Sequence, residues 1–332
     1  MAAKQTRRGF VKAALAGTAG AVALSREEQV LLARSGCGKG AETEAPRPRL
    51  RPGSQSTLPF GRIGKLKISR LIMGGNLIAG FAHSRDLLYL SRLLRHYFTP
   101  EKILETLEIA EAYGINAINT NPRATEIIQR YRKEWNSDLL WIVQGYPNEK
   151  GDVTGIQKSI DAGASAVYVQ GSVGDRLVAN GKLDVLAKAL ELIRKNGLPA
   201  GVGGHDLATI QACEKAGLPV DFYVKTLHTS DYFTARRPDQ PTRVNDSRND
   251  NFWCVDPQAV IDFMQAVEKP WIAFKVMAAG AIAPRKAFTH AFHGGADFIL
   301  AGMFDFQVSK DVHFAREVLA KVRRKRPWRA QA

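Results

Sequence analysis

Two lysines close apolar runs of the same kind, Phe222-Tyr223-Val224-Lys225 and Ile272-Ala273-Phe274-Lys275. An ammonium in an apolar setting beside a second cation has a depressed pKa, and its neutral fraction attacks carbonyl carbon. The pair therefore predicts Schiff-base chemistry, with Lys225 as nucleophile or electrostatic catalyst and Lys275 lowering its pKa. The plainer alternative pairs the lysines with Asp206, Asp231 or Asp305. His205-Asp206 and His228 end two neighbouring segments, where an imidazole would move protons near neutral pH. The same side chains, completed by His83 or Asp231, offer oxygen and imidazole ligands to a divalent metal.

A second set is neutral. Asn76, Asn119, Gln144 and Gln170 each offer a donor and an acceptor, which suits a hydroxyl-rich ligand or mutual satisfaction of the amides. Small residues at Ala278–Ile282 and Ala301–Phe304, with Gly280, Gly302 and nearby Arg285, suit a phosphate cradle or tight helix packing. Two long insertions, 77–100 and 229–256, have the length of substrate-binding segments. They carry His83, Arg85, Asp86, Arg236 and Arg237 for an anionic or polyhydroxylated ligand, and Trp253 to stack on a sugar ring.

These residues need a scaffold that brings them together. Eight apolar runs punctuate the chain: Arg70–Met73, Ala117–Asn119, Leu140–Val143, Ala166–Val169, Ala200–Gly203, Phe222–Val224, Ile272–Phe274 and Phe298–Leu300. Helical spacing fills most of the gaps, as in Ile103, Leu107, Ala110 and Tyr113. Gly114, Gly163, Gly197, Gly217 and Gly295 stand where helices must stop before the next strand. Strands alternating with helices pair in parallel through right-handed crossovers. Eight such units predict an α/β chain closed into a (β/α)8 TIM barrel, whose sites lie at the C-terminal ends of the strands. All the candidates above fall there.

Leu58–Gly75, the run EIAEAYGINAINT with ATEII behind it, and ILAGMFDFQVSKDVHFAREVLA resemble the aldo/keto reductases. The resemblance covers most of residues 58–320 and implies an N-terminal β-hairpin before the barrel, and a nicotinamide nucleotide, NAD(P), at the last two strands. At the reductase tetrad this chain departs. Asn119 stands for the aspartate, Arg123 and Ala124 for the region of the tyrosine, Gln144 for the lysine and Gln170 for the histidine. Neither Asn nor Gln can protonate an alkoxide, so ordinary reductase activity is not expected. The lysine pair is similar to that of class I aldolases of the deoxyribose-phosphate type.

The ends of the chain differ from the body. Thr6–Lys12, TRRGFVK, resembles the twin-arginine export motif, followed by an Ala/Gly-rich segment and an A-x-A site at Ala21–Ala23. Residues 1–25 therefore read as a signal peptide handled by the twin-arginine translocase, with a periplasmic or otherwise exported product and no transmembrane helix. Residues 26–57 read as a disordered linker, 58–320 as the barrel and 321–332 as a basic tail. Ten of the excess cations lie in the two ends, leaving +5 of the formal +15 on the body. That balance argues against a nucleic-acid partner, and the tail reads as solvated. Three cysteines at 37, 213 and 254 form no disulfide or zinc pattern, and Cys213 falls on the apolar face of a helix.

The expected molecule is an exported barrel acting on a small polar carbonyl or carbohydrate-like substrate, as a lyase or isomerase. One alternative is an NAD(P)-dependent oxidoreductase with a substituted proton donor. The other is a non-catalytic solute-binding barrel.

Overall fold

The protein is described from a computed structural model, at residues 49–81, 87, 89–237, 239 and 254–331. The signal peptide, most of the linker, His83, Arg85, Asp86 and Trp253 lie outside these residues. The chain divides into two units, 1–48 and 49–332.

An antiparallel hairpin, β1 (Phe60–Ile63) and β2 (Leu66–Ser69), precedes eight parallel strands. These are β3 (Leu71–Gly74), β4 (Ala117–Thr120), β5 (Leu140–Gly145), β6 (Ala166–Val169), β7 (Ala200–Gly204), β8 (Phe222–Thr226), β9 (Trp271–Phe274) and β10 (Phe298–Ala301). They close in sequence order, β10 pairing with β3, so the (β/α)8 barrel and its hairpin are as the sequence predicts. Helices α1 (Leu90–Tyr97), α2 (Pro100–Ala112), α3 (Thr125–Trp135), α4 (Thr154–Asp161) and α5 (Gly171–Ala179) cover the first half. They are followed by α6 (Leu183–Lys195), α7 (Leu207–Lys215), α8 (Pro257–Ala266), α9 (Pro284–His293) and α10 (Asp305–Lys321). The five expected cap glycines all adopt left-handed φ, between +61° and +104°, which spares the turn the strain a side chain would bring. Among the described residues no helix is long and apolar enough to cross a membrane.

Strand parity separates two apolar layers. Ile72, Ala117, Ile142, Ala166, Tyr168, Phe222, Val224, Ile272 and Phe298 fill the barrel interior, while Met73, Ile118, Val143, Val167, Val202, Tyr223 and Ala273 meet the helices. The space bounded by Ile72, Asn119, Ile142, Val224, Ile272 and Leu300 leaves no room for a water, so the barrel is a packed core with its chemistry confined to the rim. Cys213 is buried on α7, and burial pushes its thiol up to about 12.

Two expectations about the flanks fail. Residues 49–57, placed in the linker, are tied to α2: Leu50 N–H donates to Glu108 Oε1 at 2.6 Å, and Gln55 N–H to the Ala112 carbonyl at 2.9 Å. The basic tail is not solvated. Arg326 is wholly buried and donates to Asp297 Oδ2 at 2.6 Å and to the carbonyls of Met264, Gly295, Val267 and Lys269. Arg324 donates to Gly295 and Ala296, and its guanidinium lies 3.8 Å from the Trp328 ring. Arg70, at the foot of β3, donates to Asp297 and Ala330 carbonyls. The C-terminal segment thus closes the lower end of the barrel, because Asp297 and the carbonyls at the strand starts need donors that the helices do not supply.

Candidate active site at the barrel mouth

The mouth has a neutral half, over β4 to β6, and a charged half, over β7 to β9. Period-two alternation turns Asn119, Gln144 and Tyr168 inward. Tyr168 donates to Asn119 Oδ1 at 3.2 Å, Gln144 Nε2 to the same oxygen at 3.4 Å, and Asn119 Nδ2 to the Ile142 carbonyl at 3.2 Å. Tyr146 caps the set by donating to Gln144 Oε1. The amides therefore satisfy one another and two phenols, which was the plainer of the two readings. Burial pushes the Tyr146 phenol up to about 12 and raises Tyr168, so both remain neutral donors. Tyr168 reaches Asn119 because β7 has no side chains in the way. A Cβ at Gly203 would stand 3.0 Å from the Tyr168 ring and 2.8 Å from the Val169 carbonyl. Gln170 is not part of this wall: its Oε1 accepts from Val173 N–H and caps α5. Asn76 is exposed on the loop after β3. Arg123, also exposed, lies with its guanidinium 5.6 Å from the Phe81 ring.

In the charged half the two lysines part company. Lys225 pairs in register with Ala273, an outer-layer residue, so it leaves β8 on the helix side. It is buried, and its Nζ donates to the His205 carbonyl at 2.6 Å, to Thr226 Oγ1 at 2.7 Å and to the Thr226 carbonyl at 3.1 Å. Desolvation lowers its pKa, opposed by Cys254, Asp175 and Asp206. The expected mouth-facing nucleophile is thus directed elsewhere.

Lys275 should by parity also point outward, since it follows inward-facing Phe274. Its backbone, however, is left-handed, φ +57°, so strand alternation does not set the direction of its side chain. A non-glycine residue there costs about 1–2 kcal/mol, so the conformation takes Lys275 out of the alternation at some expense to stability. Its Nζ lies 6.0 Å from the Phe274 ring, and its charge lowers the pKa of both His205 and His228. Lys275 is only partly buried, yet desolvation pushes its amine down to about 7.

His205 is held by a residue that the sequence did not single out. Asp175 accepts from the His205 N–H at 3.0 Å, the Asp206 N–H at 3.2 Å and Thr209 Oγ1 at 2.6 Å, and its Oδ2 lies 2.9 Å from His205 Nδ1. With Asp175 Oδ2 accepting from Nδ1–H, the ring proton is fixed on Nδ1 and Nε2 is the basic nitrogen. Burial lowers the His205 pKa, against Asp175, which raises it. The helix GSVGD makes the contact possible. A Cβ at Gly174 would meet the Gly203 carbonyl at 2.4 Å and one at Gly171 the His205 ring at 2.8 Å, so only glycine lets α5 lie this close. Two glycines three apart before an acid were the available signal.

The remaining candidates are structural or scattered. His228 accepts from the Cys254 N–H at Nε2, 3.0 Å away, while its Nδ1 lies 3.0 Å from the Thr229 carbonyl. This staples the two stems of the second insertion, and burial pushes the ring down to about 4. It is therefore neutral and occupied, not poised as a base. Asp206 precedes α7, Asp231 pairs with Lys286 at the surface, and Asp305 accepts from Tyr97 and Lys102. Arg236 and Arg237 lie on the second insertion, Arg237 3.3 Å from Asp239. Among the described residues no three His, Cys, Asp or Glu side chains gather to hold a metal. His205 Nδ1 and both nitrogens of His228 are already engaged, so this donor set does not fit one.

Nor do the residues named for phosphate converge. Arg285 pairs with Glu317 at 2.6 Å and lies over Phe314, Gly302 packs against Leu77, and Gly280 sits in a loop that satisfies its own amides. In that loop the N–H groups of Ala278, Gly280, Ala281 and Ile282 all donate to carbonyls within it. A nucleotide phosphate has no ready cradle there.

Among solved structures the chain is similar to a putative aldo-keto reductase from Pseudomonas aeruginosa, with TM-score 0.54 and 16% identity over 81% of this chain and 97% of that one. A second structure described as a putative aldo-keto reductase from that organism gives 0.52 and 16%, over 83% and 100%. These likenesses define the fold, an aldo-keto reductase-like α/β barrel. No family model matches the chain, and no curated protein matches it either.

Proposed function

We propose that this chain is a barrel enzyme acting on a small polar carbonyl compound, as a lyase or isomerase, through an imine on Lys275. The observation that carries the reading is the left-handed Lys275, whose Nζ lies 6.0 Å from the ring of inward-facing Phe274 and whose amine burial pulls down to about 7. Its nitrogen adds to the substrate carbonyl carbon. The carbonyl oxygen takes up two protons and leaves as water, and the resulting iminium draws electrons from the adjacent carbon. His205 Nε2, oriented by Asp175, is the base that carries protons to and from that carbon. Asn119, Gln144 and Tyr146, bonded to one another in the free protein, exchange part of those bonds for substrate hydroxyls. On the reductase resemblance the tetrad positions carry Asn119, Arg123 or Ala124, Gln144 and Gln170, which favours this chemistry over hydride transfer. The TRRGFVK motif supports export by the twin-arginine route.

Borohydride reduction in the presence of glycolaldehyde, dihydroxyacetone or pyruvate, followed by peptide mapping, tests the assignment. The expected result is a stable adduct concentrated on Lys275 and absent from Lys275→Met. Uniform labelling of surface lysines would overturn it. A dinucleotide retained in the native mass would instead favour the oxidoreductase.

A further inference from the structure

Lys225 makes more contacts than a space-filling cation requires, one to the His205 carbonyl and two to its neighbour Thr226. Its Nζ and Thr226 Oγ1 converge on the His205 carbonyl, at 2.6 and 3.0 Å, while Asp175 takes the His205 N–H and Nδ1 on the other side. His205 is thus held between a cation on its carbonyl and an anion on its amide. The Lys225 carbonyl is itself fixed by Trp271 Nε1 at 3.3 Å. We infer that Lys225 is a positioning residue, which as an ammonium clamps the backbone of His205 and so sets the direction of its imidazole. This rests on the proposed role of His205 but not on the imine.

Three acceptors within 3.1 Å require three N–H bonds, and only the ammonium has three. A group so committed cannot serve as the nucleophile. The charged groups acting on His205 are Asp175 from α5, Lys225 from β8 and Lys275 beyond β9. Burial is the main cause that favours the neutral ring, Asp175 favours its charged form, and the two lysines add a smaller push toward neutrality. The sequence pairs Lys225 with Lys275 as two cations tuning one amine, whereas the geometry divides the labour: one lysine reacts and the other aims the base.

The test uses the full chain without substrate. Long-range nitrogen–proton NMR reads the tautomer and titration of His205 in the wild type, Lys225→Met, Lys225→Arg and Thr226→Val. In Lys225→Met the expected result is loss of the single Nδ1–H tautomer and an upward shift in the His205 titration. Lys225→Arg restores most of both, and Thr226→Val, which keeps the charge and the fold, disturbs the tautomer more than the titration. An unchanged His205 tautomer in both Lys225→Met and Thr226→Val overturns the inference. Should Lys225→Met not fold, Thr226→Val decides alone. Borohydride trapping run in parallel separates the two readings. Adduct on Lys275 that persists in Lys225→Met agrees with a positioning role, whereas adduct mapping to Lys225 itself overturns it.

Discussion

At the lower end of the barrel, Asp297 gathers Arg326, Arg324 and the main chain of Arg329 and Ala330, and backbone carbonyls take up the remaining donors. At the upper end, Lys225 is met by carbonyls and a hydroxyl, and Lys275 by burial that pulls its pKa down without any carboxylate among the causes. Buried cations occur at both ends, but the lower set is partly neutralised by the shared carboxylate of Asp297, although burial still pulls Arg70 and Arg324 down to about 10, whereas burial pulls the Lys275 amine down to about 7. Charge shared with a carboxylate holds a fold together. Charge left costly is what a site needs, because the discomfort is released when the group reacts.

The largest expected effect sharpens the lower half of that contrast. Arg326→Met removes the direct ion pair of Asp297 and the donor to the Met264, Gly295, Val267 and Lys269 carbonyls, and should cost about 3–5 kcal/mol, read as a lower urea midpoint with the upper site's chemistry unaltered in what remains folded. A loss below 1 kcal/mol would mean that the C-terminal segment is not the plug it is drawn as. Next comes Gly203→Ala at the seam between the neutral and charged halves. The added methyl meets the Val169 carbonyl and the Tyr168 ring, so a loss of about 1–3 kcal/mol and a displaced Tyr168 resonance are expected.

The smallest effect has the opposite sign. The Lys275 amine titrates at about 7 folded, against 10.5 for its ordinary value. Between those pH values the unfolded chain binds the extra proton, so this group's contribution to stability rises with pH across the window. Lys275→Met removes the destabilisation. It should gain about 1 kcal/mol or less near pH 7, the partial exposure screening the rest, and the gain should fade toward pH 10. A variant less stable than wild type at pH 7 would place Lys275 with the neutralised cations.

Much of the scaffold was legible. Short apolar runs buried on both faces, with glycine stops between helices and strands, admit few arrangements other than a closed parallel barrel. Asn119 and Gln144 were correctly turned inward, because they sit two residues beyond interior apolar positions on their strands. Asp175 was missed because it lies inside a helix, six residues beyond the strand end where such groups are sought. Its importance comes from a close approach that only the packed α5 reveals. The tail was misread because its arginines look alike in sequence, whereas burial depends on what they meet after the chain crosses the barrel floor.

The sequence by itself determined which residues stand at the rim, since the period of the strands and the glycine caps are local properties of the chain. It could not assign the lysines. Lys225 and Lys275 follow runs of the same character, and counting alternate residues sends both outward. Only the folded backbone decides that Lys225 stays on that side to hold His205, while one left-handed residue takes Lys275 out of the alternation and sets its Nζ 6.0 Å from the Phe274 ring. A single φ is invisible to periodicity, because it is set by the loop that the surrounding packing closes rather than by the residue that adopts it.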